Sequence, residues 1–142
     1  MKKNVVIVHD YIKSFDNTEA DALDNLSQAN LIHRSLTNLG YNTLTLQFDG
    51  NLSNIKSVLE KNQPMFIFNL VEDEAYISIA PLFFESINIP YTGCRADSIY
   101  HTHNKLIFKR FLKSISYQKN IYTPRYVTAK DLSEFIPGKK YI

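Results

Sequence analysis

The sequence has little cysteine, little glycine and no long apolar run, and each shortage removes a class of protein. The single cysteine, Cys94, allows no internal disulfide and no four-cysteine metal site, which fits a reducing compartment. The four glycines are scattered, at positions 40, 50, 93 and 138. They cannot form a glycine-rich phosphate loop, so a Rossmann dinucleotide site and a P-loop are excluded. No stretch approaches the ~20 apolar residues of a membrane helix, and residues 5–8 are too short a run for a signal peptide. We therefore expect a cytoplasmic protein with no membrane partner.

The remaining composition is that of an ordinary globular domain. The 142 residues are 44% hydrophobic and 21% charged, enough apolar side chains for one domain's core. The net charge of +2 conceals an asymmetry, because residues 1–90 carry six bases and eleven acids whereas residues 91–142 carry ten bases and three acids. A basic segment can serve a phosphate or a nucleic acid, although most such segments are solvated helix faces.

Strands and helices are predicted to alternate through the first two thirds of the chain. Four segments have the apolar or alternating pattern of strands: residues 4–8, 43–48, 65–71 and the shorter 89–92. Apolar residues at helical spacing lie between them, over residues 20–39, 51–61 and 79–87. Strands that alternate with helices are joined by right-handed crossovers. We therefore predict a single α/β domain with an open, parallel, Rossmann-like sheet and helices on both faces.

Beyond this domain the pattern changes to a basic, aromatic helix. The helix is predicted over about residues 104–115, and Pro124 precedes a predicted strand at residues 125–128. A helical turn is predicted at residues 131–135. We divide the chain into three parts. They are a Rossmann-like domain at residues 1–94, the basic helix with its connecting segment at residues 95–128, and the start of a further domain at residues 129–142.

Ligands of open parallel sheets bind at the carboxyl ends of the strands, so the loops there hold the candidate residues. The loop after the first strand is acidic, with Asp10, Asp16, Glu19 and Asp21 leading into a helix. These carboxylates either cap the helix and favour its dipole, or one of them holds a cationic group such as an amine.

The loops after the third and fourth strands offer weaker candidates. The third strand is followed by Glu72, Asp73 and Glu74. Adjacent acids point in different directions, so we expect a substrate contact at Glu72 and no metal site. Gly93 after the fourth strand either lets the backbone approach a ligand closely or merely turns the chain.

Five short motifs in a fixed order resemble the N-terminal part of D-alanine-D-alanine ligases and related ATP-grasp enzymes. They are residues 66–72 (FIFNLVE), 80–82 (APL), 89–93 (IPYTG), 104–106 (NKL) with Lys109, and 123–126 (TPRY). Their order and spacing match over about residues 65–128. The resemblance implies the pre-ATP-grasp form of the Rossmann-like fold and an ATP-dependent ligase. In that reaction a carboxylate is phosphorylated to an acyl phosphate, which an amine then attacks.

The resemblance also implies roles for particular residues. An acid on the helix after the first strand orients the amine of the first amino acid, and that position falls on Asp21, with Glu19 as the alternative. The lysine that approaches an ATP phosphate falls on Lys105. Apart from these carry-overs, we take Glu19, Glu72 and Gly93 as the candidate substrate-binding residues. The family's His-Gly pair after the third strand is replaced by residues 71–72 (VE). The sequence is therefore similar to a divergent branch, and strict D-alanine specificity is not expected.

The length places a bound on this function. A three-domain ligase needs about 300 residues or more, so residues 129–142 are interpreted as the start of a missing ATP-grasp central domain. We expect the N-terminal, substrate-binding portion of a ligase that does not catalyse alone. The complete enzyme would use ATP and magnesium, with no cofactor bound by this chain by itself. Its partners would be an amino-acid or dipeptide substrate, the missing domains in cis or on a second chain, and a possible second copy, with no nucleic acid.

Two other classes of function compete with this one. The main alternative is a free-standing α/β binding or signalling module, such as a receiver domain. A receiver needs a phosphorylatable aspartate at the end of its third strand, where this chain has Asn69. The third class is a nucleic-acid binder, which rests on the basic segment and its tyrosines alone.

Overall fold

A computed structural model describes the backbone of residues 3–12, 20–119 and 121–124, and their side chains except at residues 20–22 and 117–119. The chain forms two compact units, Met1–Tyr100 and His101–Ile142. The predicted strand at residues 125–128, the turn at residues 131–135 and residues 129–142 as a whole lie outside the described residues. None of the described helices is both long enough and apolar enough to cross a membrane.

The first unit is built on a parallel sheet, as predicted. Its strands are β1 (Asn4–Asp10), β2 (Asn42–Phe48) and β3 (Phe66–Leu70), in the order β2-β1-β3. The central strand β1 pairs with β2 from Asn4↔Asn42 to Asp10↔Phe48, and with β3 from Val5↔Phe66 to His9↔Leu70. Because β1 is central in a sheet that is covered on both faces, its four consecutive aliphatic residues, 5–8, are all at most 1% exposed. The strand also continues two residues beyond its predicted end and includes His9 and Asp10.

The fourth strand is shorter than predicted. Residues 89–92 contribute only an isolated parallel bridge, Ile67↔Tyr91. The N–H of Ile67 donates to the Pro90 carbonyl at 2.8 Å, and the N–H of Thr92 donates to the Ile67 carbonyl at 2.9 Å. The short strand predicted at residues 89–92 is thus reduced to one bridge. Pro90 has no N–H to donate, and Gly93, with a φ of +106°, turns the chain away directly after it.

Helices cover both faces of the sheet, which confirms the predicted architecture. The helices of the first unit are α1 (Ala20–Asn38), α2 (Leu52–Asn62), α3 (Ile79–Ser86) and the start of α4 (Ala96–His103). On one face, Val6, Val8 and Phe48 pack with Ile55 of α2 and Phe84 of α3 in one buried cluster. On the other face, Thr43 of β2 lies within 2.8 Å of His33 of α1, Oγ1 to Nδ1. The core therefore lies on the α2 and α3 side, and α1 covers the reverse.

One tight turn joins β2 to α2. Gly50 has a φ of +81°, and a Cβ atom at this position would lie 2.7 Å from the Tyr76 hydroxyl oxygen. Tyr76 in turn packs against Phe48, with ring centroids 5.4 Å apart. Asn51 then caps α2, since its Oδ1 accepts a hydrogen bond from the Asn54 N–H at 3.1 Å. Glycine is needed here for both conformation and space.

The second unit contains the end of α4 and α5 (Lys105–Lys119). The sequence predicts α5 but not α4. Within this unit the His101 ring stacks on Phe111 with centroids 5.8 Å apart. The Nζ of Lys109 donates a hydrogen bond to the Pro124 carbonyl at 2.9 Å. The basic helix of the sequence analysis is thus a formed element with a contact to the segment after it.

Candidate functional site

The carboxyl ends of β1 and β3 form the point where the sheet's connections diverge. The chain leaves β1 for β2 on one side and returns to β3 on the other. Such a reversal opens a crevice in which α/β proteins bind ligands. The last residue of β1, Asp10, faces the residues that follow β3. We call residues 72–74 the acidic loop.

Asp10 fixes the backbone of the acidic loop. Its side chain is 9% exposed, and its Oδ1 accepts hydrogen bonds from the N–H groups of Glu72 and Asp73, both at 3.0 Å. Two backbone N–H groups that converge on one point make a small anion receptor, and hydrogen bonds to a charged acceptor are stronger than neutral ones. The Asp10 carboxylate therefore occupies the anion-binding position that the loop creates.

Asn25 connects the ends of β1, β3 and α1. It is 2% exposed, its Oδ1 accepts from the Asp10 N–H at 3.1 Å, and its Nδ2 donates to the Leu70 carbonyl at 2.6 Å. A buried amide that satisfies a donor on one strand and an acceptor on the next holds both at a fixed separation. The sequence analysis missed this residue. The sequence feature that could have identified it is a polar residue four positions before Ala29, on the buried face of a predicted helix.

His9 lies beneath this junction in its neutral form. The side chain is 3% exposed, and its Nδ1 is 3.0 Å from the Asp10 carbonyl oxygen. Burial lowers the pKa of His9 below the usual 6.5, against the backbone hydrogen bond and the charge of Asp10, which raise it. Because the carbonyl can only accept, the neutral ring donates from Nδ1.

Polar side chains take over the backbone hydrogen bonding where the other strands end. Gln47 Oε1 accepts from the Ile12 N–H at 3.3 Å, and Asn69 Oδ1 accepts from the Val71 N–H at 3.2 Å. Thr92 Oγ1 accepts from the Asn69 N–H at 3.0 Å. These backbone donors are satisfied within the protein, so they are not available to an incoming anion.

All three residues of the acidic loop have acidic side chains. Glu72, Asp73 and Glu74 are all exposed, and within the described part of the chain Asp73 alone uses its carboxylate locally, accepting from the Ala75 N–H at 2.8 Å. No basic residue occurs in the sequence between Lys61 and Arg95. With Asp10 beneath it, the loop therefore presents negative charge to solvent and favours a cation over a phosphate.

The predicted site residues reach different places. Glu72 lies at the crevice, beside Asp10. Asp21 is one helical turn before Asn25 in α1, with only its backbone described, and Glu19 lies outside the described residues. Gly93 needs glycine for its φ of +106°, since a Cβ atom there would meet nothing within 4 Å. Lys105 is exposed at the first residue of α5, in the second unit.

A second concave region lies beside Gly93. It is an open pocket of about 520 Å³ between the loop after α3 and the start of α4. Its residues are Glu85, Asn88, Ile89, Pro90, Tyr91, Gly93 and Arg95. The Tyr91 hydroxyl donates to Glu85 Oε1 at 2.6 Å, and the same oxygen accepts from the Ala96 N–H at 3.3 Å. Burial and this hydrogen bond raise the pKa of Tyr91 to about 12, so the phenol stays protonated and Glu85 remains tied to α4.

The described residues match ATP and magnesium, which the resemblance implies, only in part. The exposed ammonium of Lys105 can neutralise a phosphate charge. Asn104 Oδ1, however, already accepts from the N–H groups of Leu106 and Ile107 at 3.0 and 3.1 Å, which occupies these amides at the start of α5. Among the described residues, no three His, Cys, Asp or Glu side chains are grouped to hold a metal ion. The phosphate contact of Lys105 therefore stays a prediction from the resemblance, and no described residue is assigned to magnesium.

Comparison of the chain with protein-family models and with curated proteins finds no match in either set. The resemblance to ATP-grasp ligases accordingly rests on the five sequence motifs alone.

Proposed function

We propose that the first unit binds the amine of an amino-acid or dipeptide substrate at the carboxyl ends of β1 and β3. In this proposal it is the amine-binding part of an ATP-dependent carboxylate-amine ligase of the D-alanine-D-alanine ligase type. The observation that carries the proposal is the position of Asp10, whose carboxylate accepts hydrogen bonds from two backbone N–H groups of the acidic loop.

The Asp10 carboxylate already occupies the anion-binding position of the acidic loop, which favours a cationic ligand in the crevice. A phosphate or carboxylate would have to displace the Asp10 side chain, which is buried and accepts two hydrogen bonds. An ammonium group, by contrast, is attracted by Asp10 and by the exposed carboxylates of Glu72 and Glu74. A single exposed ion pair contributes only about 0–1 kcal/mol, so several carboxylates must act together to hold an amine.

Asp21 is the proposed additional carboxylate. It precedes Asn25 by four residues in α1, and positions four apart lie on the same face of a helix. Since Asn25 contacts the ends of both β1 and β3, that face of α1 is the one directed to the crevice. This arrangement supports the role of amine-orienting acid that the resemblance gives to Asp21.

The chain's own residues would bind and orient the substrate. ATP supplies the phosphoryl group that activates a carboxylate as an acyl phosphate in such ligases. Lys105 would neutralise a phosphate charge, and the crevice would present the amine in the orientation needed for attack on the acyl carbon. The signalling alternative has no comparable support, because the side chain of Asn69 at the end of β3 accepts from the Val71 N–H instead of offering a carboxylate.

The proposal is tested by titrating the 142-residue chain with D-alanine while recording amide NMR spectra. We expect the resonances of Glu72 and Asp73 to shift with D-alanine and with D-alanine amide, and to stay in place with N-acetyl-D-alanine, which has no ammonium group. Glu72→Gln should weaken the response. Glu60→Gln removes an exposed acid on α2 and should leave it unchanged. Equal shifts with N-acetyl-D-alanine, or no shifts in the loop with any of the three ligands, would contradict the proposal.

A further inference from the structure

β2 is an open edge of the sheet in the described part of the chain. Its one strand neighbour there is β1, and the N–H of Asn42 donates to the Lys3 carbonyl at 2.9 Å. In a parallel ladder, alternate residues direct both backbone groups to the same neighbour. The even-numbered residues of β2 therefore face β1, and Thr43, Thr45 and Gln47 present their N–H and C=O groups to the open edge.

As far as the described residues extend, this edge lacks the features that usually block strand pairing. Natural edge strands carry charged side chains or proline, or are bulged or covered. The seven residues of β2, NTLTLQF, contain no charged residue and no proline. Leu44 is 37% exposed at the centre of the strand, and within the described residues the outward backbone groups have no hydrogen-bond partner.

We propose that this edge pairs with β2 of a second copy of the chain, antiparallel, around a two-fold axis at Thr45. Thr45 then lies opposite the partner's Thr45, and each Thr43 lies opposite the partner's Gln47. All three outward-facing residues take part, so each copy satisfies three donors and three acceptors of its open edge. The two three-stranded sheets become one continuous sheet of six strands.

A second copy suits this edge because the sequence is complementary to itself in that register. On the side of the core cluster, Leu44 lies opposite the partner's Leu46, which covers the exposed leucine. On the side of α1, threonine lies opposite threonine, a favourable cross-strand pair. No charge on β2 meets a like charge on its copy, and a closed two-fold contact uses the edge completely. The proposal is independent of amine binding.

A cysteine placed at the two-fold axis tests the register. In antiparallel hydrogen-bonded pairs the Cα atoms are about 5.5 Å apart, within the range of a disulfide. Thr45→Cys in a Cys94→Ser background should therefore form a covalent dimer on mild oxidation. Thr43→Cys in the same background is the matched control, because four residues of strand separate it from its own copy, about 13 Å. Failure of Thr45→Cys to cross-link, or equal cross-linking of both variants, would overturn the proposal.

Sedimentation over a concentration series tests the association itself. The wild-type chain should approach twice its 16.4 kDa mass as its concentration rises. Leu44→Lys places a charge at the edge and should raise the dissociation constant at least about tenfold. Leu31→Lys, which alters a leucine of α1 that is 56% exposed, should match the wild type. A wild-type chain that stays at the single-chain mass, or an unchanged constant in Leu44→Lys, would refute the pairing.

Discussion

The buried side-chain amide of Asn25 holds Asp10 in place, and Asp10 in turn holds the acidic loop in place. The Asn25 side chain accepts from the Asp10 N–H and donates to the Leu70 carbonyl, while the Asp10 side chain accepts from two loop N–H groups. Strand ends, helix and loop therefore form one connected hydrogen-bond network. Because Asn25 and Asp10 are buried, the loss of either side chain leaves hydrogen-bonding groups of the other members without partners.

Asn25→Leu should be strongly destabilising. Leucine has a similar size but leaves the buried Asp10 N–H and Leu70 C=O unsatisfied, and we expect the free energy of unfolding to fall by about 2–4 kcal/mol. Urea denaturation measures the change. Asn30→Leu, at an exposed position of the same helix, is the control and should change stability by less than about 0.5 kcal/mol. Equal stability of the two variants would show that the Asn25 hydrogen bonds contribute little.

Asp10→Ala should release the acidic loop. Two charge-assisted hydrogen bonds disappear, so amide hydrogen exchange at Glu72 and Asp73 should accelerate by about tenfold or more, equivalent to at least about 1.4 kcal/mol. NMR-detected exchange gives the rates residue by residue. Asp49→Ala removes a similar but exposed contact to the Asn51 N–H and should leave the loop rates unchanged. Unaltered protection of Glu72 in Asp10→Ala would contradict the positioning role.

His9 should make stability depend on acid pH. Its folded pKa is lowered below 6.5, so on acidification the unfolded chain takes up a proton first. Stability should therefore be unaffected by this group above about pH 7 and should fall as the pH drops below about 6.5, until the folded pKa is reached. His9→Gln should flatten the curve below about pH 6.5 in urea denaturation. His103→Gln, at an exposed position, should keep the wild-type slope, and an equally steep slope in His9→Gln would count against the buried neutral ring.

Alanine substitutions at two glycine turns should distinguish the cost of backbone strain from the cost of steric overlap. Gly40 and Gly50 have φ values of +84° and +81°, but only a Cβ at Gly50 would meet an atom, the Tyr76 hydroxyl oxygen at 2.7 Å. Gly40→Ala should cost about 1 kcal/mol from backbone strain alone, and Gly50→Ala about 2–3 kcal/mol. Thermal unfolding compares them. Adding Tyr76→Phe should recover part of the Gly50→Ala loss, and identical losses at the two glycines would show that the tyrosine simply moves away.

The sequence was sufficient for the parts of the fold that local patterns determine. The run of aliphatic residues in β1 is apolar on both faces, which indicates a central parallel strand, and the helical spacing around Ala29 and Ile55 gives α1 and α2. The short fourth segment failed because a strand's length depends on its neighbour's register and on Pro90. The helix α4 was missed because its start is tied by Glu85 and Tyr91, a contact that no local pattern predicts.

The candidate site was predictable in position but not in detail. The rule that ligands bind at the carboxyl ends of strands pointed to the loops that hold Asp10 and Glu72, and the structure brings these two residues together. The burial of Asp10 depends on backbone N–H groups that converge only after folding, so the sequence could not single it out among the acids of its loop. The role of Asn25 depends on two strands and a helix meeting, and its spacing alone suggested a helix face. Asp21 and Lys105 stay predictions from the family resemblance.

The Asp10 carboxylate also means that one side chain decides what the two N–H groups after β3 can bind. With aspartate in place, the two N–H groups after β3 are neutralised from within and the opening is negative. A glycine at position 10 would leave the same two dipoles pointing at empty space, a cradle for a carboxylate or phosphate. Replacement of this one side chain would thus free both the loop and its two donors, which makes position 10 a starting point for redesign of ligand binding in the crevice.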